Sequence, residues 1–133
     1  MLRPVRFLAP ALVLLVLAGC GDAGPTPEEQ VRTTVGDFGN ATAAKDYRRL
    51  CDDILAPQLV DKVTEVGLPC ETALRQGLGR VKDPHLTIGR VMVDGNSASA
   101  EIRTSAAGEQ PSKDTLKLVK VNGTWRISSL GGS

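Results

Sequence analysis

Aromatic residues are scarce in this 133-residue chain, which holds two phenylalanines, one tyrosine and one tryptophan. Histidine is scarcer still, with His85 alone, and there are three cysteines. Each shortage removes a class of function. Stacking platforms for bases or sugars need several rings, and beyond the first twenty residues only Phe38, Tyr47 and Trp125 remain. A formal net charge of +1 supplies no broad cationic surface, so nucleic acid is not an expected partner. A single histidine leaves little from which to complete a metal site, and neither metal nor cofactor is expected. No Ser-His-Asp order appears. Gly77-Leu78-Gly79 falls in a helical pattern with no strand before it, so it is not a nucleotide-binding glycine loop.

What is present begins at the N-terminus. Arg3 and Arg6 precede an apolar run from Phe7 to Ala18, interrupted only by Pro10. A basic head and a short hydrophobic body match an export signal. A membrane-spanning helix needs about 20 apolar residues, so this run is short for one. Leu17-Ala18-Gly19-Cys20 resembles a bacterial lipobox, in which cysteine receives a diacylglyceryl group and becomes the new N-terminus after cleavage. That reading divides the chain into a signal peptide (1–19), a lipidated Cys20 with a short tether (20–25) and one domain (26–133). It puts the protein on the outer face of the cell membrane. The alternatives are an ordinary signal peptide with a chance cysteine, and an uncleaved anchor. Removal of Arg3 and Arg6 takes the formal charge from +1 to −1. The tether Gly21–Pro25 spans less than roughly 20 Å even when fully extended, so the domain is expected to stay close to the bilayer.

The first half of the domain reads as helices. Thr26-Pro27-Glu28-Glu29 has a capping residue, a proline at the first helical position and a glutamate placed for a capping box. Val31, Val35, Phe38 and Ala41 continue at helical spacing, while Gly36 and Gly39 weaken the helix or admit a close neighbour. Asp46 caps a second helix that buries Tyr47, Leu50 and Ile54. Ala56-Pro57 opens a third with Leu59 and Val63. Pro69 starts a fourth stretch with Leu74, Leu78 and Val81.

The second half reads as strands. Leu86 to Val93 is β-branched and apolar, with alternation that slips at Gly89-Arg90 as at a bulge. Asp94-Gly95 and Asn122-Gly123 are hairpin signals. Between them, Ala98, Ala100 and Ile102 share one strand face and Leu116 and Leu118 another, with a polar loop from Ala106 to Lys113. Trp125 and Ile127 lie on one face of the last strand. The fold class is α+β, with N-terminal helices packed on a curved four-stranded antiparallel sheet. That order resembles the nuclear transport factor two-like, or cystatin-like, superfamily. "FGNATAAKDYRRLCDDI" looks like its opening helices and "LKLVKVNGTWRI" like its closing hairpin. With a lipobox and two further cysteines, the chain is also similar to small lipoproteins of actinobacteria. The resemblance implies a cone-shaped fold, and it brings no catalytic residue with it.

With Cys20 taken by lipid, Cys51 and Cys70 remain, and export makes a disulfide between them permissible. The alternative is a redox or metal pair, which the spacing of nineteen positions does not favour. Some enzymes of this fold do acid–base chemistry inside the cone with Asp, His or Tyr. Here the inward positions are Ala98, Ala100, Ile102, Leu116, Leu118, Trp125 and Ile127, none of them ionisable. These residues, with Phe38 and Tyr47, are the candidate lining of an apolar pocket. The competing reading is that the helices simply fill the cone. His85 reads as a loop side chain, and Asp52-Asp53 as a solvated face. The expected function is a membrane-anchored binding or accessory module, for an apolar small molecule or an envelope protein. One alternative is a pocket enzyme of the ketosteroid-isomerase or polyketide-cyclase type. Another is a structural interaction domain pairing through its outer sheet face.

Overall fold

Thr26 opens the first helix by the expected reciprocal pair of bonds. Its hydroxyl accepts from the Glu29 amide at 3.1 Å, and the Glu29 carboxylate accepts from the Thr26 amide at 2.9 Å. The computed structural model describes residues 24–131 and the isolated positions 2, 4 and 19, so Cys20 and nearly all of the expected signal peptide lie outside the described residues. Helix α1 (Pro27–Ala43) buries Val31, Val35 and Ala41. The chain then reverses at Lys45, a non-glycine residue at φ 56°. Asp46 caps the next element through its side chain, which accepts from the Arg49 amide at 3.1 Å.

That element differs from the single regular helix its spacing predicts. A short α2 (Tyr47–Arg49) widens at once into a π-helical turn (Leu50–Ile54), closed by the Leu55 amide donating to the Leu50 carbonyl at 2.8 Å. Tyr47, Leu50 and Ile54 are buried, as their stripe requires. The wider turn releases the Asp52 carbonyl, which accepts from Arg126 Nη1 at 2.8 Å. Helix α3 (Pro57–Thr64) follows with Leu59 buried, and then α4 (Cys70–Leu78) with Leu74 buried. The expected stripe through Val81 stops short. Helix α4 ends at Leu78, and the Val81 amide folds back on the Leu78 carbonyl at 3.1 Å.

Strands β1 (His85–Asp94), β2 (Ser97–Ser105), β3 (Ser112–Val121) and β4 (Thr124–Ser129) form a curved, unclosed antiparallel meander in the order β1-β2-β3-β4. The last turn has Asn122 at φ 50° and Gly123 at φ 79°, the left-handed pair a two-residue hairpin loop needs. Ile88 pairs with Ile102 and Val91 with Ala100, so Gly89 and Arg90 together oppose Glu101. This is the bulge the alternation predicts. A second shift lies between Lys117 and Leu118, where the partners move from Ser129 to Ile127. Each bulge adds local bend to its strand, which curves the sheet around the helices.

Helix α1 lies across the concave face, running antiparallel to β1. Arg32 Nη2 donates to the Gly89 carbonyl at 3.0 Å, and seven residues later Gly39 faces Leu86. The β4 edge is covered as well. Leu55 pairs with Ile127 in a parallel bridge, and the Ala56 amide donates to the Ile127 carbonyl at 2.7 Å. The disulfide joins Cys51 in the π-helical turn to Cys70 at the head of α4, with Cα atoms 6.1 Å apart, and so straddles α3.

Candidate functional site

Helix α1 supplies the floor of a cleft, because after Phe38 it carries only small residues towards its C-terminal end. Gly39 lets the helix approach the sheet closely, since a Cβ built there would stand 3.3 Å from the Leu86 Cβ. Phe38 and Thr42 flank it, one turn apart. Across from them the chain leaving α4 contributes Leu78 and Val81, and the entrance to β1 contributes Pro84, His85 and Leu86. The connection between β2 and β3 closes the fourth side with Thr104, Ser105, Ala106, Glu109, Gln110 and Ser112. Together they enclose a cleft of about 230 Å³ at the end of the sheet where β1 begins and β2 ends.

The walls of this cleft are the half-buried apolar side chains Phe38, Leu78, Val81 and Leu86. Most of its polar groups come from the entrance to β1 and the β2–β3 connection. Ser112 donates to Asp114 Oδ2 at 3.2 Å, and the Thr104 hydroxyl lies 2.9 Å from Ser112 Oγ. Because the single Ser112 proton goes to the carboxylate, Thr104 donates to Ser112 and keeps its lone pairs free. The Thr42 hydroxyl is occupied, donating to the Phe38 carbonyl at 2.8 Å. His85 and Glu109 are the titratable residues of the lining, and both are exposed. No charged side chain is buried among the described residues. General acid–base work needs a carboxylate and a partner converging on a reacting atom inside a pocket. This lining holds one imidazole and one carboxylate, each facing water.

Of the nine side chains offered by the sequence as pocket lining, Phe38 borders the cleft. Tyr47, Ala98, Ala100, Ile102, Leu116, Leu118, Trp125 and Ile127 pack with Val31, Val35, Leu50, Ile54 and Leu55 in the core beneath it. The small residues Ala98 and Ala100 are sealed there, at 9% and 0% exposure. Tyr47 lies under Arg75, whose guanidinium carbon is 5.7 Å from the ring centroid. Its hydroxyl is buried without a partner and faces the Gly79 backbone rather than the cleft. Trp125 carries a second unpartnered group, its indole N–H, with Lys120 Nζ 5.5 Å from the ring centroid. Cys20 lies outside the described residues. Among the lining residues that reasoning along the chain missed are Leu78, Val81, Leu86 and Thr104, whose individual signals are those of ordinary helix and strand positions.

A broader groove of about 930 Å³ runs over the outer face of the sheet, where Thr87, Glu101, Arg103, Lys113, Thr115 and Lys117 project. Arg103 stands directly opposite Lys113 in the register. The groove borders Ile88 and Ile102 at its base but is otherwise walled by charged and hydroxyl side chains.

No family model matches the sequence, and neither does any curated protein. Solved structures do share the architecture. An NTF2-like protein of unknown function from Shewanella baltica is 17% identical, with a TM-score of 0.58 over 80% of this chain and 94% of that one. An NTF2-like protein of unknown function from Silicibacter pomeroyi is 19% identical, with a TM-score of 0.54 over 75% of this chain and 88% of that one. A de novo designed NTF2 fold protein is also similar, at 19% identity and a TM-score of 0.53, covering 80% and 87% of the two chains. At these identities the likeness defines the fold. It is nuclear transport factor two-like, as the order of helices and strands implied, and a fold of this kind hosts unrelated functions.

Proposed function

We propose that the protein is an exported lipoprotein, held on the outer face of the cell membrane through Cys20, whose domain binds a small apolar group in the cleft between the end of α1 and the entrance of β1. The observation that carries the reading is the distribution of apolar side chains. The concave face of the sheet is filled by the chain's own residues, whereas Phe38, Leu78, Val81 and Leu86 are left half-covered around a recess. Apolar walls with a few polar groups at the rim are the usual composition of a small-molecule site. The recess is small by that standard. Burial of a six-carbon group at about 0.8 kcal/mol per methylene corresponds to binding in the high-micromolar to millimolar range.

Titration of the isotope-labelled protein with hexanol, followed by NMR, tests this. The expected shifts are confined to Phe38, Thr42, Leu78, Leu86 and Thr104. Val81→Trp fills the recess and removes them while the core resonances stay in place. Shifts that persist in that variant, or that map to the outer sheet face, dismiss the cleft as the site. The address is tested separately by mass spectrometry of the N-terminal peptide. A diacylglyceryl adduct on Cys20 is expected, and an unmodified or uncleaved terminus counts against it.

A further inference from the structure

We infer that the cleft opens away from the bilayer, and that its ligand is a small water-borne apolar molecule rather than a lipid drawn from the membrane that holds the protein. The inference rests on the lipid anchor proposed above. It follows from where the tether joins the fold. The tether ends at Thr26, the N-terminal cap of α1. The cleft is lined by Phe38, Gly39 and Thr42, at the other end of that helix. At 1.5 Å per residue, Thr42 lies about 24 Å from Thr26 along the helix axis.

The sheet supplies an independent ruler. Because α1 runs antiparallel to β1, its N-terminus lies beside the far ends of the strands, at the turns after Asp94 and Val121. The Lys120 amide donates to the Asn96 carbonyl at 2.9 Å, which ties those two turns together. The mouth is at the opposite end, where His85 pairs with Ser105 and Thr104 with Ser112. From His85 to Asp94 the strand rises roughly 30 Å, less the shortening at its bulge.

The tether cannot offset that separation. Gly21–Pro25 reaches less than about 20 Å at full stretch. Seating the mouth squarely on the bilayer would raise Thr26 roughly 24–30 Å above it, farther than the tether reaches. With Cys20 at the surface, the hairpin tips face the headgroups and the mouth faces solvent. The size of the recess agrees. Its volume of about 230 Å³ falls below the roughly 300–1,000 Å³ of ordinary small-molecule sites, too little to enclose a two-chain lipid.

The test uses the lipidated full chain in phosphatidylcholine vesicles. With Cys20 alkylated by lipid and Cys51 bonded to Cys70, an introduced cysteine is the free thiol. Glu109→Cys marks the mouth and Ser97→Cys marks the hairpin end, each labelled with a small fluorophore. A lipid carrying a nitroxide on its headgroup should quench the label at position 97 at least threefold more than the label at 109. Aqueous iodide should quench the label at 109 as strongly on vesicles as in detergent. Equal or stronger lipid quenching at 109 overturns the inference while leaving the anchor in place. If the unlabelled protein fails to float with the vesicles, the anchor itself is wrong and the inference falls with it.

Discussion

Gly39 of α1 approaches Leu86 of β1 so closely that a methyl group added to the glycine would stand 3.3 Å from the leucine Cβ. This contact sets the depth of the cleft, because it seats the C-terminal half of the helix against the entrance of the first strand. Gly36, three residues earlier on the same helix, has no atom within 4 Å of its added Cβ.

The two glycines therefore respond differently to the same change. Gly36→Ala removes only backbone freedom from the helix interior and should stabilise the fold by roughly 0.5–1 kcal/mol. Gly39→Ala gains the same propensity but presses on Leu86, so its benefit should be smaller or reversed. Thermal unfolding followed by circular dichroism compares them. Equal stabilisation by both substitutions would mean that the close approach carries no packing cost.

The Cys51–Cys70 bond closes a loop of about 20 residues around α3, worth roughly 3 kcal/mol in the chain-entropy model. For a domain of this size that corresponds to a fall in melting temperature of roughly 10 °C. Cys51→Ser should show it in calorimetry, and reduction of the parent protein should match it. Under the proposed anchoring through Cys20, membrane association should not change. Two thiols that alkylate without prior reduction in the native protein would rule the bond out.

The bond from Arg126 Nη1 to the Asp52 carbonyl ties the π-helical turn to β4. Arg126→Met keeps most of the aliphatic stem and loses the bond, which should cost about 1 kcal/mol because the carbonyl it leaves can turn to water. Hydrogen exchange should speed at Leu55 and Ala56, whose amides close the turn and cover the β4 edge. Unchanged exchange at those two amides would assign the edge closure to the backbone bonds alone.

Much of this fold is legible along the chain because its signals are local. The Thr26–Glu29 capping box, the Asn122-Gly123 turn and the slip at Gly89-Arg90 each need only a few neighbouring residues to act. All three appear in the structure where the sequence puts them. The π-helical turn is not legible. Tyr47, Leu50 and Ile54 are spaced equally well for a regular helix, and the wider turn is held by Arg126, 74 positions away from Asp52. Val81 is similar. Its spacing continues the α4 stripe, but the helix stops at Leu78 and turns Val81 into the cleft.

By itself the sequence determined the order of elements, the fold class and which strand faces turn inward. These follow from short-range periodicity and turn chemistry, which act before distant segments meet. It also carries the basic head, the apolar run and the Leu17-Ala18-Gly19-Cys20 stretch on which the proposed address rests. Only the tertiary structure decided that the inward face is consumed as core and that the recess lies above it. That recess is made where the end of α1, the exit from α4, the entrance of β1 and the β2–β3 connection converge. No one of those segments has an apolar pattern that marks it, because a concavity is a property of the gap between them. The same packing puts Thr26 and the cleft at opposite ends of α1, a separation that no single segment encodes.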